Sequence, residues 1–299
     1  MKTSTNPHVK TPVFYGWVIV AVCFSAEFGG TLMGAYALTV LLVPMSLDTG
    51  WSRTAIIGAS FTASIVAALI SPALGHLVDR QGVRPTLATS AFICGVTIMA
   101  IALVKDLWLY YLIFGLVNGF SRPLVQTLGV SVAIANWFAK RRPLVTAIVS
   151  MGIPLSGIVG VPLTTLVVVQ LGWRPAWLFM GLVLIFLVAL PTALFMREKP
   201  EDLGLLPDGK PGRSKLPVDK HAPGPTPWWG IYQTAQAWEG REALRTKAFW
   251  VVSLAPPFIA LTGPTFATHV VAFWLDKGLS PTGAAVATSS FLIGTLGGR

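Results

Sequence analysis

Two ionisable side chains stand inside stretches apolar enough to be buried on every side. Glu27 lies twelve residues beyond Tyr15, where one such stretch begins, and Arg122 fifteen residues beyond Leu107, where another begins. A charge at that depth in hydrocarbon is costly unless it faces a polar cavity or a partner, so each is a candidate for handling a proton or a charged ligand. A glutamate there can take up or release a proton, whereas a guanidinium offers a planar fork that grips a carboxylate. Asn118, Arg122 and Gln126 are spaced i, i+4 and i+8, which puts all three on one helix face as a polar stripe. Pro123 frees the carbonyl of Gly119 from its helical hydrogen bond beside that stripe. Two readings stay open for the charged pair: a ligand site, or an Arg122–Glu27 lock between two helices. His269 follows Thr262 and Thr265 along a third stretch, with packing and ligand contact both open. Arg299 stands inside a further apolar stretch.

A second constellation, polar and compact, occupies residues 71–85. Gly75, Asp79, Arg80, Gly82 and Arg84 fit the pattern G-x-x-x-D-R-x-G-x-R. Other chemistry finds no support. His8, His76, His221 and His269 lack metal-ligand spacing and no phosphate-cradling G-x-x-x-x-G-K occurs, so no metal, cofactor, enzyme activity or ATP-driven step is expected. Cys23 and Cys94 both fall in apolar stretches and read as small core residues.

The elements that must position these side chains are membrane helices. With 54% hydrophobic residues, 11% charged and a mean hydropathy of +0.68, the chain is far too apolar for a water-soluble globule. The net charge of +10 would suit nucleic acid only on a soluble basic face; here the charges sit in loops, and the partner is the lipid bilayer. Eight apolar runs, Tyr15–Val43, Thr54–Leu74, Pro85–Val104, Leu107–Phe138, Pro143–Leu171, Trp177–Met196, Ala248–Leu275 and Pro281–Arg299, each reach or approach the length of a membrane-spanning helix. No alternating strands suggest a barrel, so the fold class is all-α and integral to the membrane. The first run starts too late and runs too long for a cleaved signal peptide. With a cytoplasmic N-terminus, sixteen Lys and Arg residues fall on inner segments and four on outer ones, which favours that orientation.

Between Arg197 and Lys247 the chain turns to Pro, Gly, Lys and Glu, a cytoplasmic linker. Within it Trp228, Trp229, Ile231, Tyr232, Ala235 and Trp238 recur at near-helical spacing, as in a short helix lying on the membrane surface. The expected organisation is a six-helix half over 1–196, the linker over 197–247, and the start of a second half, helices seven and eight, over 248–299. An internal repeat supports two halves: Asp48-Thr-Gly50-Trp-Ser52 follows the first run, and Asp276-Lys-Gly278-Leu-Ser280 follows the seventh. In that register the aspartate of a second polar hinge would fall at position 307, beyond Arg299. The chain is therefore expected to stop within its eighth helix, as part of a protein of roughly 400 residues if each span with its loop takes about 25–30.

The hinge pattern resembles the loop between the second and third helices of the major facilitator superfamily of transporters. Tyr15-Gly16-Trp17, Trp137-Phe138-Ala139-Lys140-Arg141-Arg142 with Gly152 and Gly157, Pro200-Glu201-Asp202-Leu203-Gly204-Leu205 and Pro207-Asp208-Gly209 are similar to its monocarboxylate-transporter and oxalate/formate-antiporter branch. The resemblance implies secondary active transport by alternating access around a midplane site, at the plasma membrane, or the inner membrane if the source is bacterial. It makes Gly75, Asp79, Arg80, Gly82 and Arg84 a gate, and places Arg299 where that branch has an arginine for the substrate carboxylate. The branch's frequent aspartate four residues earlier is here Thr295, and its first-helix lysine has no counterpart near Glu27. Glu27, Asn118, Arg122, Gln126, His269 and Arg299 are the expected pathway residues. Two arginines facing one glutamate favour a small organic anion, moved with a proton or against a counter-anion. A non-transporting sensor or scaffold of the same fold is the alternative.

Overall fold

The repeated D-x-G-x-S has a structural reason. In both copies the glycine takes a left-handed conformation, φ 73° at Gly50 and φ 88° at Gly278, which ends one helix without a Cβ clash. In both, the serine then caps the next helix: Ser52 Oγ accepts from the Ala55 N–H and Ser280 Oγ from the Gly283 N–H, each at 3.1 Å. Five residues thus make the same helix-to-helix corner twice.

The computed structural model describes residues 14–209, 245–251, 253 and 262–297. Its long helices are α1 (Gly16–Thr49), α2 (Arg53–Gln81), α3 (Val83–Ile101), α4 (107–137), α5 (Arg142–Leu171), α6 (Trp173–Phe195), α7 (Thr262–Asp276) and α8 (Pro281–Gly297). No strand occurs among the described residues beyond an isolated bridge at Leu205. The chain divides into two compact units, 1–211 with 267–299, and 212–266; α1 to α6, α8 and the end of α7 belong to the first. The expected surface helix around Trp228–Trp238, the Pro256-Pro257 kink and Arg299 lie outside the described residues.

Five of these helices are long and apolar enough to cross a bilayer. α4 is as long, but Asn118, Arg122 and Gln126 interrupt its apolar character. α1 lies centrally, touching α4, α5 and α6; α2 packs on α4, α3 on α6 and α4, and α8 on α5. Small residues set the closest approaches, as expected where helices associate without water. A Cβ on Gly95 of α3 would stand 3.0 Å from the Gly181 carbonyl of α6, and one on Gly181 2.6 Å from the Gly95 carbonyl. Large apolar side chains such as Phe61, Leu69, Phe186 and Leu194 are left on outward faces, where hydrocarbon is the matching solvent.

The structure corrects one boundary. Residues 71–81, read from sequence as a polar hinge, are the last three turns of α2, and the chain turns only at Gly82, φ 89°. Leu74 and Val78 are buried four residues apart, so an apolar stripe continues the helix past the bilayer run and polar neighbours on the other face do not break it. α3 then starts at Val83, its first turn capped from a distance: the Glu198 carboxylate accepts from the Val83 and Arg84 N–H groups, both at 2.8 Å.

Candidate functional site

Between α1, α4 and α5 lies a cavity of about 520 Å³ that brings Glu27, Gln126 and Arg142 together. Ser131, Thr146 and Ser150 add hydroxyls to its lining, and Val130, Ile134, Val149 and Ile153 supply apolar wall. A mostly apolar pocket with a few placed polar groups is the usual form of a small-molecule site.

Local structure explains how each group reaches it. Gly152 lets α5 close on α1: a Cβ there would lie 2.8 Å from the Phe24 carbonyl and 3.2 Å from Glu27 Cβ. Glu27 is eleven residues along α1 from Gly16, roughly 17 Å at 1.5 Å per residue, which is mid-depth. Gln126 sits in a wider π-type turn of α4, Leu124–Leu128, and its Nε2 donates to Thr31 Oγ1 of α1 at 3.1 Å. Arg142 opens α5 at the hinge end of the bundle. The turn before it is ordered by Asp208, whose carboxylate accepts from the N–H groups of Ala139, Lys140 and Arg141 at 3.3, 2.8 and 3.3 Å. The cavity therefore runs from an exposed cation at one end of the bundle to a carboxylate at mid-depth.

Not all expected pathway residues meet there. Arg122 is absent from the cavity lining; its side chain lies over Gly34 of α1, where a Cβ would be 3.1 Å from both Arg122 Cδ and Nη1. Asn118 is buried toward α3, its Oδ1 accepting from the Cys94 thiol at 3.0 Å, and its Nδ2 has no partner among the described residues. Arg122 and Gln126 do share the face toward α1, beside Gly34 and Gly30, but only Gln126 lines the cavity, while Asn118 pairs with Cys94 of α3. His269 is exposed midway along α7 and is not part of the cavity lining.

Arg142 is not among the pathway residues expected from sequence, where it enters as a charge in a basic loop and as the last residue of the Trp137–Arg142 stretch. A signal was available: Arg142, Thr146 and Ser150 repeat on α5 the i, i+4, i+8 spacing of the α4 stripe. Cys23 and Cys94 are free and buried, and no cluster of three metal-ligating side chains exists among the described residues.

Of the hinge residues, Arg84 is tied within the same half, its Nε and Nη2 donating to the Ala193 carbonyl at 3.1 and 2.6 Å. Gly82 lies against the Glu198 carboxylate, and a Cβ on Gly75 would meet nothing within 4 Å. Asp79 and Arg80 are exposed at the end of α2.

Comparison with known proteins adds an independent finding. The family model described as Major Facilitator Superfamily matches residues 14–299. Human monocarboxylate transporter 11 is 26% identical over 288 residues, covering 95% of this chain and 55% of that protein. Rat monocarboxylate transporter 9 is 31% identical over 143 residues, 46% of this chain and 27% of that protein. Mouse monocarboxylate transporter 3 is 26% identical over 172 residues, 56% and 34% of the two chains. The chain spans about half the length of human monocarboxylate transporter 11.

Proposed function

Because the chain belongs to the Major Facilitator Superfamily, with its all-α membrane fold, we propose that the protein moves a small organic carboxylate across a membrane by alternating access. The observation that carries this reading is the cavity between α1, α4 and α5, with Arg142 toward its mouth and Glu27 at mid-depth. A guanidinium fork suits a carboxylate, hydroxyls and the Gln126 amide suit its oxygens, and the apolar wall suits a short carbon chain. Several relatives are named monocarboxylate transporters, which points to the same class.

Energy comes, in this reading, from an ion or solute gradient, with Glu27 as the group able to carry a proton and a counter-anion as the other means of coupling. In this reading the hinge end and the N-terminus face the cytoplasm, in a plasma membrane or a bacterial inner membrane, supported by the excess of Lys and Arg at the hinge end. Residues 1–196 form the first half, 197–247 a linker and 248–299 the opening of the second half. Asp79 and Arg80, exposed at the tip of α2, are the gate groups offered to that second half.

Uptake into proteoliposomes by the full-length protein tests this, across a panel of carboxylates, with and without a pH gradient. Saturable uptake of at least one carboxylate, slowed about tenfold or more by Glu27→Gln, is expected from loss of the only carboxylate among the described residues that line the cavity. Saturable transport of a neutral sugar or a cation with no carboxylate moved would overturn it.

A further inference from the structure

The two D-x-G-x-S corners end in differently placed ion pairs. Asp48, at the end of α1, accepts from Trp173 Nε1 at 3.0 Å and lies 3.7 Å from Arg174 Nη2, both partners at the start of α6. The Arg174 guanidinium also stacks 4.5 Å over the Trp173 ring, so this tie is braced in three ways inside the first six helices. Asp276, at the end of α7, is held by a fork alone: Arg53 Nη1 reaches Oδ2 at 3.0 Å and Nη2 reaches Oδ1 at 3.3 Å, from the start of α2. These two residues are 223 positions apart, and their side chains are 44% and 59% exposed.

Both partners of the second pair are misplaced by local rules. Arg53 is the first residue of α2, at the end where the helix dipole repels a cation, with no acidic residue in the first turn. Asp276 is the last residue of α7, where the dipole repels an anion, with no basic residue in the last turn. Each charge is unfavourable where it stands and is compensated only when the two helix ends meet. A solvent-exposed pair adds little to folding stability, so it can be made and broken at small cost. It lies at the end of the bundle opposite the mouth of the Glu27–Arg142 cavity.

We propose that Arg53 and Asp276 form a reversible latch that closes this end of the pathway while the hinge end is open, with Asp48, Trp173 and Arg174 as the permanent counterpart. The proposal rests on the alternating-access reading, but its test does not need a transported solute. Spin labels attached through Lys105→Cys and Lys277→Cys, both exposed positions at this end, report the separation of α3–α4 from α7 in the full-length protein. Electron–electron distance measurements on the otherwise parental protein should be dominated by a short separation. Arg53→Gln and Asp276→Asn should each cut the short population by at least half in favour of a longer one. The charge swap Arg53→Asp with Asp276→Arg should restore it. An unchanged distribution in the single variants, or a swap that behaves like the singles, overturns the latch. If the distances respond as expected while the parent moves no carboxylate, the carboxylate assignment fails and the latch stands.

Discussion

In the proposed reading, Arg142 and Glu27 divide the chemistry of the cavity between a group that selects and a group that responds. Arg142 is exposed and always charged, whereas Glu27 is half-buried at mid-depth, where a change in its protonation alters the balance of the site most. Lysine keeps the charge of Arg142 but not its fork, so Arg142→Lys should raise the half-saturating carboxylate concentration about tenfold, or ~1.4 kcal/mol, with a smaller change in maximal rate. Concentration dependence of initial uptake checks this; an unchanged half-saturation would remove Arg142 from the solute's path. Glu27 was legible in sequence because a carboxylate inside an apolar run violates composition. Arg142 was not, because a cation in a basic loop violates nothing and only its position beside the cavity sets it apart from Arg141. Arg122 draws attention by the same rule as Glu27, yet its side chain lies over Gly34 of α1 and outside the cavity lining, a placement set by the neighbouring helix.

Helices here are held by what their ends accept and by how closely their glycines let them approach. Valine at Gly95 or Gly181 would drive side-chain atoms into the facing carbonyl at the α3–α6 contact, so either variant should lower stability by about 1–3 kcal/mol, read as a lower melting temperature in detergent. Gly75→Ala should leave melting unchanged within error, since a Cβ there meets nothing within 4 Å. Glu198→Gln tests the remote cap: losing the charged acceptor at the start of α3 should destabilise by about 0.5–2 kcal/mol, whereas Asp202→Asn, which caps only its own turn, should do less. Helix number and order were readable from the apolar runs, and the corners from their Gly and Ser. The end of α2 was not, because a polar segment after an apolar run looks like a loop unless Leu74 and Val78 are recognised as a continuing stripe.

On the scale of the whole molecule, the cavity opens toward one end of the bundle while the exposed Arg53–Asp276 pair joins helix ends at the other, the asymmetry that alternating access requires. Asp79→Asn removes a charge from the tip of α2 with almost no change in size, so in the full-length protein it should slow transport while leaving half-saturation within about twofold, a split that separates a gate from a binding group. The central claim is that a carboxylate occupies the space between α1, α4 and α5, and solute protection of an introduced thiol tests it most directly. Thr146 lines the cavity and is exposed, whereas the native Cys23 and Cys94 are buried, so a Thr146→Cys variant confines labelling by a water-soluble thiol reagent to this space. A transported carboxylate should slow that labelling saturably, with half-protection near its half-saturating concentration for uptake, and the corresponding uncharged amide should not. Labelling that proceeds at the same rate with and without a carboxylate the protein demonstrably transports would contradict the account.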